Sequence, residues 1–399
     1  MRTIHEFHRG AVSLFMVIFS MLVITIVTVG FLRIMTADQR QATANDLSQS
    51  AYDSALAGVE DAKRALLKYQ RDCIADSTKC GGTFKEALKS DTCNAAVTRF
   101  AGVAETSNGE VLVQQSTGSV NDRNLNQAYT CVTVTPDTED YVGTLGPNEQ
   151  VLIPLRAANG TFDRVVLSWF SREKDVKSAS GDIDRAPVAG MAMLAQDRWP
   201  DNRPPVMRTQ LMQFGPDFLL SDFDAETTSG ESNANTAFLY PTSSNVNTMN
   251  IATNDGRRAG SAEYPSQASA TNTPYPASCR ANVSAGGYAC EMTVILPRAI
   301  GSTSDARTAY LRLVSLYKGT SFKVELRSGD SNTPVLFDGV QPAIDSTGRA
   351  NDLFRRVKAR VNLEAASFPF PEAAVDVADN FCKDFTVTPE QYITGTCRP

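Results

Sequence analysis

From Ala11 to Leu32 the chain runs through twenty-two residues without a charge, and nothing else in its 399 residues restricts the fold so severely. As a helix rising 1.5 Å per residue, the run is roughly 33 Å long, enough to cross the hydrocarbon core of a bilayer. Three roles suit it: a removable secretory signal, a permanent single-pass anchor, or the packing stem of a filament subunit. A cleavable signal has a shorter apolar core and an exit of small residues. TVGFLRIMTA offers no such exit, which weakens the first role. The short basic head and the bulk of the chain beyond place the N-terminus in the cytoplasm and the remainder outside.

The helix is expected to continue past the membrane. No proline occurs before Pro136, and TADQRQATANDLSQSAYDSALAGVEDAKRALLKYQ is rich in good helix formers. Leu47, Ala51, Ala55, Val59, Ala62 and Leu66 recur at spacings of three and four, which makes one narrow, alanine-rich face. One continuous helix from Ala11 to about Tyr69 follows, roughly 90 Å long. The alternative is a membrane helix followed by a separate soluble one.

Both histidines, His5 and His8, precede the apolar run. The rest of the chain therefore has no means for Ser-His-Asp or Cys-His catalysis or for most zinc chemistry. The whole chain's 38 basic and 44 acidic side chains, net −6, argue against a dedicated nucleic-acid binder. All eight cysteines (Cys73, Cys80, Cys93, Cys131, Cys279, Cys290, Cys382 and Cys397) lie beyond the apolar segment, and none forms a C-x-x-C pair. An even number on one side of an anchor indicates disulfides in an oxidising space, with about 105 pairings open. Cys279 with Cys290 and Cys382 with Cys397 each close a short loop and are the local candidates. Reduced structural thiols are the other reading.

After Cys73 the period changes. A cysteine-bearing region with a short helix near Thr83–Lys89 leads to β-like runs at Val111–Ser116, Ala128–Thr135, Gln150–Leu155 and Asp163–Phe170. The last is apolar on both faces, as in a central strand. QLMQFG (Gln210–Gly215), CEMTVILP, TAYLRLVSLY and SFKVELRS follow, with SLYKGTSF reading as a hairpin corner. Phe322, Val324 and Leu326 alternate with Lys323, Glu325 and Arg327, giving one buried and one wet face. RRVKARVNL repeats that logic. Thr227 to Tyr288 is dominated by Ser, Thr, Asn, Ala and Gly and reads as long loops inserted on the sheet. The expected fold is α+β: a long N-terminal helix, membrane-spanning in its first half and amphipathic in its second, packed on an antiparallel β-sheet head with a large loop-rich insertion. The expected divisions are a leader (1–10), membrane helix (11–32), amphipathic continuation (33–70), first part of the head (71–226), insertion (227–289), sheet continuation (290–364) and C-terminal disulfide loop (365–399).

A short basic leader ending in Gly10, an apolar run and an amphipathic helix together resemble the class III signal of type IV pilins. The likeness covers Arg9 to Leu66 and is to minor pilins with the PilX-type N-terminus, related to the K-type minor pseudopilin of type II secretion. The resemblance implies that a prepilin peptidase cuts after Gly10 and that Ala11 becomes the N-methylated first residue. It also implies other pilin subunits as partners, the membrane as the site before assembly, and an extracellular pilus afterwards. Major pilins carry glutamate at the fifth mature position, where this chain has Phe15, and a proline at the twenty-second, where it has Leu32. The K-type pseudopilin, placed at the filament tip, lacks that glutamate too, which suggests a tip or initiating role. Phe381 to Cys397 resembles the disulfide-bounded C-terminal loop of pilin heads, which contacts surfaces or neighbouring subunits. The runner-up is a permanently anchored adhesion protein that never polymerises.

Other constellations carry less. SDFDAE places Asp222, Asp224 and Glu226 at alternate positions, a partial set of oxygen ligands for calcium. Asp182 and Asp184 in SGDIDR are a thinner version. Arg355, Arg356, Lys358 and Arg360 suit DNA phosphates, but their alternation with apolar residues fits a solvated strand face better. Trp169 and Trp199 are too few for a stacking platform. No cofactor is implied, and assembly with attachment to a surface or host-cell ligand is expected rather than catalysis.

Overall fold

A computed structural model describes residues 9–113, 126–188, 191, 194–214, 234–250, 274–301, 308–329 and 332–363. Helix α1 runs unbroken from Arg9 to Ala75, 67 residues and roughly 100 Å. The two-helix alternative therefore falls away, and the helix extends six residues beyond the expected end. A disulfide joins Cys73 in its last turn to Cys80, and Asp76 caps the next 3-10 turn by accepting from Thr78 N–H. Helix α2 spans Gly82–Leu88, close to its expected place.

Fifteen strands follow among the described residues: β1 (Val111–Leu112), β2 (Gln127–Thr135), β3 (Asp140–Leu145), β4 (Gln150–Leu155), β5 (Phe162–Ser171), β6 (Val206–Phe214), β7 (Ala234–Thr242), β8 (Thr248–Asn250), β9 (Tyr275–Cys279), β10 (Tyr288–Ile300), β11 (Thr308–Leu316), β12 (Thr320–Ser328), β13 (Thr333–Val335), β14 (Ala343–Ala350) and β15 (Leu353–Arg360). They form two sheets. One has four antiparallel strands in the order β1-β2-β14-β15 and carries the second half of α1. The other has eleven strands and consists of β3 to β13, all inserted between β2 and β14 of the first. The fold is thus α+β, with a β unit set into the small sheet at one point.

Two expectations change. The Thr227–Tyr288 region is not loop alone, since β7, β8 and β9 lie within it. ANTAFLYPT carries only a few apolar residues, and Ala237 and Leu239 are buried because β6 and the parallel β9 flank them. Nor is SLYKGTSF a hairpin. β11 pairs with β4 and β6, while β12 pairs with β3, β5 and β13. Between them the chain crosses from one side of a shared core to the other, with Tyr317 at φ 78° and Ser315 Oγ donating to Lys318 O. β3 and β4 make the same crossing beside it, tied by Asn148 N–H to Ser315 O and Ser315 N–H to Glu149 O. The long sheet therefore closes over one core, in which Trp169 and Leu167 of β5 and Phe322 of β12 sit with Met207 of β6 and Leu311 of β11.

Candidate functional site

The first half of α1 touches no other part of the described chain. Its large side chains from Leu14 to Met35 are exposed, Phe15 by 73%, and none of its most apolar window is buried. So large an apolar surface is not stable in water and must be covered by lipid or by other apolar helices. The polar side chains within it are satisfied internally: Ser20, Thr25 and Thr28 donate to the carbonyls of Met16, Met21 and Ile24 at 2.7–2.8 Å. Such back-bonding removes the need for water. Among the described residues this is the one helix long and apolar enough to cross a membrane. Gly10 and Ala11 fall in its first turn. A polar stretch from Thr36 to Asp46 stays exposed on all sides, and contact with the head begins at half-buried Leu47.

From there the expected stripe docks: Ala51, Ala55, Val59, Ala62 and Leu66 are all buried. What sets the depth of docking is the glycines, which pattern reading missed. A Cβ on Gly348 of β14 would stand 2.2 Å from Ala51 O and Ala55 N, and one on Gly58 would stand 2.5 Å from Ser346 Oγ. Helix backbone thus lies directly on strand backbone, and Ser346 Oγ donates to Ala55 O at 2.7 Å. Farther along, buried Tyr129 of β2 donates to Asp61 Oδ2 at 2.8 Å, and Arg64 pairs with the other oxygen. Burial, reinforced by Asp61, holds the Tyr129 phenol far above the ordinary tyrosine range.

The inserted unit leaves this sheet at one end. Thr135 and Ala343, where β2 stops and β14 starts, are cross-strand partners. Going along β14 from Gly348 through Ser346 toward Ala343 follows α1 from Ala51 toward its C-terminal end. The eleven-stranded unit therefore sits at the end of the helix remote from the apolar half. A charge cluster staples it there. Asp137, whose side chain is 3% exposed, forms ion pairs with Lys85 at 3.0 Å and Lys89 at 2.7 Å, and Lys85 also meets Asp338 at 2.6 Å. Burial lowers the Lys85 pKa, but its carboxylate partners outweigh it and hold the ammonium above its usual range. A cleft of about 240 Å³ opens beside the staple, lined by Tyr69, Ile74, the Cys73–Cys80 bridge, Pro136, Pro342 and Leu363 among others.

The remaining candidates sort as follows. Cys279–Cys290 forms, its two residues lying directly opposite on β9 and β10, and Cys73–Cys80 and Cys93–Cys131 bring the bridges among the described residues to three. Cys382, Cys397, Asp222, Asp224 and Glu226 lie outside the described residues. Asp182 accepts from Ser180 and Asn282, which lower its pKa, while Asp184 pairs with Arg203, so both carboxylates are engaged by neighbours within the fold. Among the described residues no three His, Cys, Asp or Glu side chains converge as a metal site. The basic strand β15 is exposed on one face, as its alternation implied, and is partly neutralised. Arg356 forks onto Asp345, Arg360 meets Asp140 at 2.6 Å, and Arg355 binds Ser48 Oγ. Trp169 is buried in the core, and Trp199 stacks on Tyr317 with centroids 4.5 Å apart. No protein-family model matches this chain, and no curated protein matches it.

Proposed function

We propose that this chain is a minor subunit of a type IV pilus-like filament, cut after Gly10 by a prepilin peptidase, methylated at Ala11, and active in assembly and surface attachment rather than catalysis. The observation that carries the reading is the division of labour along α1. Its first half is bare and apolar, and its second half is locked by backbone-close packing onto a four-stranded antiparallel sheet. A helix of this kind serves lipid first and neighbouring apolar helices later, and the small residues Ser20 and Gly30 permit close approach in either setting. The membrane holds the subunit until other pilin subunits take over that surface, and the head ends outside the cell.

Two features favour the end of a filament over its shaft. Phe15 supplies no carboxylate to pair with a neighbour's terminal amine. The eleven-stranded unit also stands at the membrane-distal end of the helix, where its bulk obstructs a further subunit stacked above.

The mass of the N-terminal peptide from membrane and sheared surface fractions tests the reading. A chain beginning at methylated Ala11 in the sheared fraction is expected. An intact Met1, or a cut far beyond Leu32, would overturn it in favour of a permanently anchored surface protein.

A further inference from the structure

The four-stranded sheet ends on an open edge. β15 pairs with β14 along its whole length, Leu353 to Arg360, without a register shift, and among the described residues no strand lies on its other side. An edge strand leaves a row of backbone N–H and C=O groups unpaired, and folds commonly blunt it with a proline, a bulge or a very short strand. β15 has eight residues, no proline and no bulge. Charge is what guards it. Among the described residues Arg356, Lys358 and Arg360 reach only two carboxylates, Asp345 and Asp140. The Lys358 side chain is 73% exposed, with Asp345, already held by Arg356, at 3.7 Å.

Helix α1 roofs the space beside that edge. Ser48 Oγ accepts from Arg355 of β15 at 2.8 Å. Tyr52 and Leu56 follow Ser48 at spacings of four and so continue the flank of the helix turned toward β15. Both are exposed, by 43% and 37%, although the neighbouring stripe of Ala51, Ala55 and Val59 is buried on the sheet. Val357 and Ala359, on the face of β15 that Arg355 turns to α1, are only partly buried where they meet the small-sheet core. An extra strand about 4.8 Å beyond β15 would find backbone partners at its side and an apolar roof above it.

We propose that the head docks another subunit at this edge by accepting an extended acidic segment of it as a fifth strand. Apolar side chains at alternate positions of that segment rest beside Val357 and Ala359, under Tyr52 and Leu56. The acidic ones between them meet Arg356, Lys358 and Arg360 on the opposite face. A second copy of β15 does not suit the slot, because it sets arginine and lysine directly against arginine and lysine across the strands, which is destabilising. Backbone pairing supplies the affinity, and the charges choose the partner. The inference rests on the proposed function in taking the partner to be a neighbouring subunit. The slot itself requires neither a cut after Gly10 nor a methylated Ala11.

Full-length protein in detergent micelles, titrated into fluorescently labelled peptides of about eight residues, tests it. One peptide alternates valine with aspartate and another valine with lysine. Two more repeat the first with the backbone amides methylated either on the valines or on the aspartates. The acidic peptide should bind, and the lysine peptide about tenfold more weakly or not at all. One methylated form should lose binding while the other keeps it, since alternate residues direct their N–H groups toward β15. Lys358→Glu should weaken the acidic peptide about tenfold, and Leu56→Ala several-fold. Lys174→Glu, the same charge change at an exposed site of the large unit, should leave it unchanged. Failure of the acidic peptide to bind the full chain would overturn the docking edge, including the case of a slot already filled by the chain's own residues 364–399. Equal effects of the two methylations, equal binding of the lysine peptide, or equal loss with Lys174→Glu would overturn it too. Each of these outcomes leaves the N-terminal peptide mass, and with it the filament reading, untouched.

Discussion

Gly348 of β14 lies against Ala51 of α1 so closely that a methyl group on it would stand 2.2 Å from the Ala51 carbonyl oxygen. The obstacle is backbone, with Ala55 N at the same distance, so neither side can yield without lifting the helix from the sheet. Gly348→Ala should therefore cost about 3 kcal/mol or more. Gly58→Ala meets mainly side chains, Ser346 Oγ and Val132 Cγ2, which can shift. It should cost less, about 1–2 kcal/mol. Urea unfolding of the detergent-solubilised chain reads both, and the reverse order would contradict the close-packing account.

Stability should fall steeply in alkali. An unfolded tyrosine ionises near pH 10. Burial pushes Tyr141 up to about 12, and burial with the Asp61 bond pushes Tyr129 farther. Above pH 10 the unfolded chain binds fewer protons than the folded one. Each such tyrosine then removes about 1.4 kcal/mol per pH unit, after contributing fully below pH 10. For Tyr141 the loss is complete near pH 12. Tyr129→Phe should lower stability at pH 9 by about 1–3 kcal/mol through the lost bond to Asp61. It should also flatten the fall between pH 10 and 11, and an unchanged slope would count against a buried, protonated Tyr129.

The three bridges differ in reach. Cys93–Cys131 spans 38 positions and Cys73–Cys80 only 7. On loop entropy, removing the first should cost about 4 kcal/mol and the second about 2.5 kcal/mol. Paired Cys→Ala variants compared by thermal melting check the order. Alkylation without reductant should leave all six described cysteines unlabelled, and labelling of any of them in protein taken from the cell surface would contradict an oxidised head.

On the proposed filament reading, Phe15→Glu supplies the carboxylate that major pilins carry. An unpaired carboxylate in a bilayer helix costs up to about 3 kcal/mol, so the variant should favour a pairing that the native chain lacks and change where or how often the subunit is incorporated. Filament number, length and subunit composition measure this. No change in any of the three would remove position 15 from the argument for a terminal subunit.

Elements whose bonds are local could be read from the order of the residues alone. An α-helix closes every hydrogen bond within four residues, so twenty-two uncharged positions, an alanine stripe and the absence of proline before Pro136 sufficed to predict α1. Alternation likewise announced the buried face of Phe322, Val324 and Leu326, and the exposed face of Arg356, Lys358 and Arg360. Strand partners are chosen across any distance, and only the packed chain reveals them. It parted β11 from β12 where SLYKGTSF read as a hairpin, and it set strands β3 to β13 between β2 and β14. It joined Cys93 to Cys131. It also placed Gly348 under Ala51, a contact no local pattern encodes because each glycine's use depends on which backbone arrives beside it.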